Sequence, residues 1–505
     1  MSEFGRLVLA EWTKFRTVRG WVLGTAAAGL VTVLLGIFVA SNSHSVCSNG
    51  TVDIECPTPP VGPDGEPVRD KFYFVHRPLT GDGAITVRVT SMTGLITYPP
   101  PNHDEIVPGL VEWAKAGVIV KDGTAQGSRY VALMVTAEHG VRMQQDFIHD
   151  TAGNPGAVSA GAPRWLRLTR VGDRLTGEES VDGTSWTRVG TATLAGTVEI
   201  GLFVTSPSDL TVHGGVGGGN ATARLATATA TFDNVGLAGT APGGEWLRDD
   251  IGNEPGPDGA PHHPGSVEVA GGVMTISGNG DLAPLAGEVG PGVQLILIGL
   301  VIGLIVVIVV AARTVTTEFR RGLIGVTLLA SPRRGRVLAA KAVVLGAVTF
   351  VAGAAAAALV IPLAWGVLRD NGFRQPGLPL STIARVSLEA GLLVAGTALL
   401  ALGLGVLFRR GLAAVGVAVA AVVLPYLAVV IGGLPAAAAD WVLRLTPAAA
   451  FAIQQVAPEY AHVLANYTPG AGYYPLPAWG GLAVLAAYAA LALGLASARL
   501  RRSDA

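Results

Sequence analysis

The chain reads as a polytopic α-helical membrane protein with six transmembrane helices and both termini cytoplasmic. An all-β sandwich is inserted outside, between the first two spans. Three observations predict this. Half of the 505 residues are hydrophobic, 14% are charged and mean hydropathy is +0.49, a composition suited to a bilayer rather than to water. Six apolar runs are each long enough to cross about 30 Å of hydrocarbon. One long interval, 42–290, differs, being rich in Gly, Pro, Thr and Asp and in short alternating runs.

Charge is segregated along the chain. The formal net charge of −1 hides sixteen Lys/Arg in the short pieces predicted to be cytoplasmic. Interval 42–290 holds 15 Lys/Arg against 28 Asp/Glu, a formal −13. Basic residues beside span ends set orientation, so both termini and the short basic loops are expected inside. The one large polar region is acidic, which argues against nucleic acid as a partner.

Residues 1–20 place Leu7, Leu9, Trp12 and Phe15 among Lys14, Arg16 and Arg19. That is a basic amphipathic helix lying along the inner leaflet. Trp21 to Ala40 is too long for the apolar core of a cleavable signal, and 21–41 becomes the first span. A Pro-rich linker, 42–69, carries both cysteines, Cys47 and Cys56. Two nearby thiols outside the cytoplasm predict a small disulfide loop, and zinc would need more ligands than this segment offers.

From Lys71 onward, strand signals recur as AITVRVTSM, AGVIVKD, YVALMVT, WLRLTRVG and VEIGLFVTS. Strict alternation in WLRLTRVG and turn signals such as Asp182-Gly183 predict a sandwich over 70–237. Segment 238–290 is Gly/Pro-rich, with one returning strand at Val273-Met-Thr-Ile and a solvated His262-His263 pair. The later spans are 292–312, 342–367, 386–408, 412–432 and 478–498, with Pro362 and Pro425 in the third and fifth. Glu389 lies four residues after Arg385, which predicts an ion pair near the outer head groups rather than a group on a transport path. Segment 433–477 reads as re-entrant or interfacial, and Trp441, Tyr473, Tyr474 and Trp479 suit an outer aromatic belt. Arg499, Arg501 and Arg502 hold the tail, 499–505, inside.

Between spans two and three lies 313–341, RTVTTEFRRGLIGVTLLASPRRGRVLAAK, with seven Lys/Arg and one acid, Glu318. Phe319, Leu323, Val326 and Leu329 fall near helical spacing with Arg320 and Arg321 on the other side, and Ser331-Pro332 ends the pattern. On charge alone this is a positive-inside anchor. The order Thr317-Glu318-Phe319-Arg320, Gly322, Leu328-Leu329, Ser331-Pro332-Arg333-Arg334 closely resembles the cytoplasmic coupling segment of type-2 ABC exporter permeases. EWTKFRTVRGW, from Glu11 to Trp21, resembles the elbow helix before that family's first span. Trp441-Val-Leu-Arg444-Leu-Thr-Pro447 resembles its re-entrant helix.

The resemblance covers 1–41 and 291–505. It implies a permease dimer, expected to be a homodimer, in the plasma membrane, bound to two cytoplasmic ABC ATPase subunits and exporting a substrate. It implies an ATPase-coupling role for Glu318, Phe319, Arg320, Arg321, Gly322 and Leu323, with Gly322 permitting close backbone approach. Glu11, Trp12, Lys14, Arg16 and Arg19 would form the interfacial elbow. There is no G-x-x-x-x-G-K-[ST] loop, no H-E-x-x-H, no C-x-x-C and no Ser/His/Asp constellation. The chain is therefore expected to be non-catalytic and to hold no cofactor, ATP belonging to the partner.

Trp113-Ala-Lys-Ala-Gly-Val, Ser128-Arg-Tyr, Trp165-Leu-Arg-Leu, Ser180-Val-Asp-Gly-Thr-Ser-Trp186, Gly201-Leu-Phe-Val and Phe232-Asp-Asn-Val resemble concanavalin A-like (laminin G-like) jelly-roll modules. Some such modules bind sugars, which makes Trp113 and Trp186 candidate carbohydrate-facing residues. Core packing is the commoner fate of Trp in a sandwich. A membrane-anchored glycan-binding or adhesion protein is the alternative reading, for which six spans are excessive. A membrane-embedded enzyme is a third, and the missing catalytic constellation counts against it.

Overall fold

The computed structural model describes residues 2–48, 53–54, 56–97, 105–213, 220–239, 245–253, 264–286, 292–322 and 333–502. Six of its helices are long and apolar enough to cross a membrane. Helix α1 (Glu3–Thr17) is capped by Ser2, whose hydroxyl accepts from the Gly5 N–H at 3.1 Å. After Val18 the chain turns into α2 (Arg19–Asn42), the first candidate span. A short turn of helix, α3 (Val293–Ile296), precedes α4 (Ile298–Arg320). The remaining helices are α5 (Arg334–Asp370), α6 (Leu380–Phe408), α7 (Gly411–Val430), α8 (Ala436–Leu445) and α9 (Ala478–Arg502).

Span boundaries differ from the sequence reading most at three helices, the fourth span beginning at Leu380 rather than 386. The second span lies at Ile298–Arg320 rather than 292–312, so residues assigned to the basic loop continue the helix. Nothing between Ala312 and Arg320 breaks a helix, and the hydroxyls of Thr316 and Thr317 bond back to the carbonyls of Ala312 and Arg313. Likewise α5 begins at Arg334 and runs 37 residues, about 55 Å at 1.5 Å per residue, well beyond the hydrocarbon thickness. Its first two turns nevertheless stay packed in the bundle at the basic end, with Val337, Leu338, Ala340 and Lys341 buried. The expected loop 313–341 thus shortens to 321–333, of which 323–332, with Leu323, Leu328-Leu329 and Ser331-Pro332, lies outside the described residues.

The bundle packs through small residues, as helices must where lipid removes any hydrophobic drive between them. A Cβ on Gly36 of α2 would stand 2.5 Å from the Ile296 carbonyl oxygen, and one on Gly299 of α4 equally close to that of Thr32. Helix α8 and the 3₁₀ segment Pro447–Gln454 meet at an angle of 101°. The 3₁₀ segment is wholly buried and Trp441 on α8 is exposed, as a re-entrant element with one interfacial face requires.

The sandwich extends past residue 237. One sheet orders its antiparallel strands His149–Ala152, Val141–Gln145, Tyr130–Thr136, Lys115–Lys121, Val198–Thr205, Phe72–Leu79 and Leu247–Ile251. The other orders Thr187–Thr193, Arg174–Ser180, Arg164–Val171, Gly83–Thr97, Asn220–Gly239, Val273–Gly278 and Ser266–Ala270. The segment expected to be a Gly/Pro-rich stretch therefore supplies three strands to the two sheets and a fourth, Leu282–Pro284, beside them, of which only the one at Val273 is legible in the sequence. Between the sheets, Val87, Leu168, Val118, Leu133, Leu202 and Phe232 form the main core.

Strand Lys115–Lys121 is buried on both faces. Its second face meets Phe72, Phe74, Tyr130, Phe147 and Phe203 beneath a two-stranded neck, Val68–Asp70 paired with Leu282–Pro284. Two fully buried lysines reach carboxylates from that neck, Lys121 to Asp70 at 2.7 Å and Lys115 to Asp281 at 2.5 Å. Below the neck, Cys47 and Cys56 form the expected disulfide.

Candidate functional site

Where α1, α4 and α5 meet at the basic end of the bundle, four charged side chains close on one another. Lys14 Nζ donates to Glu11 Oε1 at 3.0 Å and to Glu318 Oε1 at 2.8 Å. Lys341 Nζ donates to Glu318 Oε1 at 2.7 Å and to Glu11 Oε2 at 2.8 Å. Glu11, Glu318 and Lys341 are buried, and Lys14 is half-exposed. Two carboxylates and two ammonium groups balance, which is how charges tolerate desolvation. Burial disfavours the Lys14 charge, but the Glu318 and Glu11 carboxylates outweigh it and hold its pKa above the ordinary lysine value.

Local sequence explains how the helices bring these groups together. On α1, Glu11 and Phe15 lie one turn apart and face the bundle, while Leu9, Trp12 and Arg16 face outward with Arg19 just beyond. This helix thus turns Leu9 and Trp12 away from the protein, and its buried side carries Phe15 together with the acid. On α4, Glu318 ends a stripe of buried residues that includes Val307, Ala311, Thr314 and Val315. Lys341 sits within the apolar run LAAKAVVLG of α5.

The structure therefore unites Glu318, expected in a coupling helix, with Glu11 and Lys14, expected in the elbow. Lys341 was missed by sequence reasoning except as one basic residue among seven. Its signal was that isolated position in an apolar helical run. Of the other residues, Phe319 packs half-buried against the bundle with the Arg409 guanidinium 5.1 Å from its ring centroid. Arg320 and Arg321 are exposed. Gly322 ends α4 with φ +68°, and a Cβ there would meet nothing within 4 Å. It terminates the helix in the left-handed region that favours glycine.

At the other end of the bundle, Arg385 and Glu389 form the i,i+4 pair at 3.0 Å that their spacing predicts, and Arg385 also donates to the Gln455 carbonyl. The segment between Gln455 and Tyr474 packs against the sandwich. There His462, buried, lies within 2.9 Å of the Phe147 carbonyl oxygen, which its Nε2–H can donate to. Trp113 lies beneath it, 4% exposed, with His139 stacked on its ring at 3.9 Å and the Arg142 guanidinium 5.5 Å from its centroid. Placed so, Trp113 has no face for a sugar. Trp186 is half-buried under the Arg167 guanidinium, 4.0 Å from its ring centroid.

No protein-family model matches this sequence, and no curated protein matches it. Among solved structures, a functionally unknown protein from Saccharomyces cerevisiae is similar at 17% identity and a TM-score of 0.23, covering 40% of this chain and 93% of that one. A scytalido-glutamic peptidase bound to a transition state analog inhibitor is similar at 9% identity and a TM-score of 0.27, covering 43% of this chain and 100% of that one. At these scores neither likeness bears on what this chain does.

Proposed function

We propose that this chain is the membrane-spanning permease subunit of an ABC-type exporter, moving a substrate across the plasma membrane on ATP hydrolysed by a separate subunit. The observation that carries this reading is the Glu11–Lys14–Glu318–Lys341 cluster. It fastens three helices together directly above the loop that resembles a coupling segment. A displacement of that loop by a partner ATPase would pass to α1, α4 and α5 as one body, because stretching the cluster would strand buried charges. The six spans and the re-entrant angle at Thr446 fit the same reading. So do the outward apolar faces of α2, with Leu23, Leu30 and Phe38, and of α7, with Leu412 and Leu424, which suit lipid or a second permease copy. The adhesion reading gains no support from Trp113 or Trp186.

The test is photo-crosslinking in native membranes from Arg321 or Arg333, both exposed on either side of the loop. A benzophenone side chain at either position should capture a protein bearing a phosphate-binding loop, and the purified complex should hydrolyse ATP. Capture of no such protein from either position would overturn the proposal.

A further inference from the structure

The ends of α1, α2 and α4 enclose a cleft of about 770 Å³ beside the charge cluster. Its inner part is an apolar trough lined by Trp21, Val306, Val309 and Val310. The trough narrows at Gly24, where a Cβ would stand 2.6 Å from Val310 Cγ2. Toward the basic end the lining changes to Lys14, Arg313, Glu318 and Arg321. Arg313 and Arg321 are exposed, and their guanidinium groups make no hydrogen bond or ion pair with another described residue. Glu318 is 4% exposed, and while its Oε1 accepts from both lysines, its Oε2 has no partner among the described residues.

A buried carboxylate oxygen without a donor is costly, and two unpaired guanidinium groups beside it invite an anion. The cleft therefore asks for a molecule with an apolar tail, a phosphate and a strong hydrogen-bond donor a few bonds further on. We propose that it binds one molecule of phosphatidylethanolamine from the cytoplasmic leaflet. An acyl chain lies along Trp21 and Val309, the phosphate meets Arg313 and Arg321, and the Glu318 side chain turns into the cleft so that its buried Oε2 accepts from the primary ammonium. A choline head group brings no N–H and leaves that oxygen unpaired. A glycerol head group brings hydroxyl donors but no positive charge to set against the carboxylate. The proposal rests on the basic end facing the cytoplasm and is independent of any partner ATPase.

The experiment uses the full chain reconstituted in vesicles of equal parts phosphatidylethanolamine, phosphatidylglycerol and phosphatidylcholine, then released into mild detergent for native mass spectrometry. One phosphatidylethanolamine per chain should be retained in preference to the other two. Arg313→Ala and Arg321→Ala should each reduce retention about fivefold, the effect of one cation facing an anionic membrane head group. Gly20→Trp should abolish it, because Gly20 lines the cleft and a Cβ there meets nothing within 4 Å, so the indole fills the trough without displacing the helices. Arg410→Ala, exposed and outside the cleft, is the control. Equal retention of phosphatidylcholine, a preference for phosphatidylglycerol, or full retention by the arginine variants would each overturn the proposal. None of these readouts depends on membrane orientation or on ATP hydrolysis.

Discussion

Glu318 and Lys341 stand 23 residues apart, one ending α4 and the other two turns into α5, and their side chains meet at 2.7 Å with 5% and 6% of their surface exposed. The helices that flank the loop are thus bound at its base, whatever the loop itself does.

Removing one member of this pair should be far worse than removing both. Glu318→Ala or Lys341→Ala leaves a buried charge in excess and should destabilise the protein by about 3–5 kcal/mol. The double change Glu318→Leu with Lys341→Met leaves Glu11 and Lys14 matched at 3.0 Å and should cost less than either. Arg336→Ala removes only an exposed pair with Glu3 and should cost at most about 1 kcal/mol. Thermal unfolding in detergent, followed by tryptophan fluorescence, checks all four. Equal mild losses across the set would make the cluster incidental to cohesion.

Acid should loosen the segment around His462 from the sandwich. Burial first, and then the nearby Lys115, holds its pKa below the ordinary 6.5, against the Phe147 carbonyl and the more distant Asp150 and Asp281. The docked imidazole is neutral, so docking is unaffected above 6.5 and is lost as pH falls from there through the lowered value. Limited proteolysis between Gln455 and Tyr474 should accelerate from about pH 7.5 to about pH 5, across the range where histidine takes up its proton. His462→Gln should remove the dependence. A dependence unchanged in that variant would assign it elsewhere.

A fragment of the sandwich ending at residue 237 should not fold. It lacks Leu247–Ile251, Ser266–Ala270 and Val273–Gly278, and it lacks Asp281, leaving the fully buried Lys115 without its carboxylate. That loss alone is worth about 3–5 kcal/mol, a large part of a domain's stability. A fragment of 66–286 restores all four elements and should unfold in one cooperative transition by circular dichroism. Cooperative unfolding of 70–237 would show the neck to be dispensable.

What the sequence disclosed and what it withheld divide along a physical line. Apolar runs such as Leu412 to Gly432 are self-declaring, because a bilayer demands local satisfaction of every backbone group. Cys47 and Cys56 and the Arg385–Glu389 pair were legible for a similar reason, since each partner lies within a few residues of the other. The strands at Leu247 and Ser266 were not, because each is an edge strand in a stretch dominated by Gly and Pro and is held by partners more than a hundred or only a few residues away. The four-charge site was read in halves. Glu11 and Lys14 read as charges of an interfacial elbow and Glu318 as a coupling residue, and no local pattern reveals that α1 folds under the bundle to bring them together.

The neck beneath the sandwich has one more implication. Val68–Asp70 and Leu282–Pro284 run side by side, so the chain enters and leaves the sandwich at a single point. Helices α2 and α4 already touch where Thr32 and Ala28 meet Gly299 and Gly303, and Asn371 bonds to the carbonyls of Ala40 and Ser43 at the end of α2. The seam between those helices therefore asks nothing of the domain strung between them. A short flexible bridge in place of the sandwich would leave α2 and α4 as a hairpin with both helices in register.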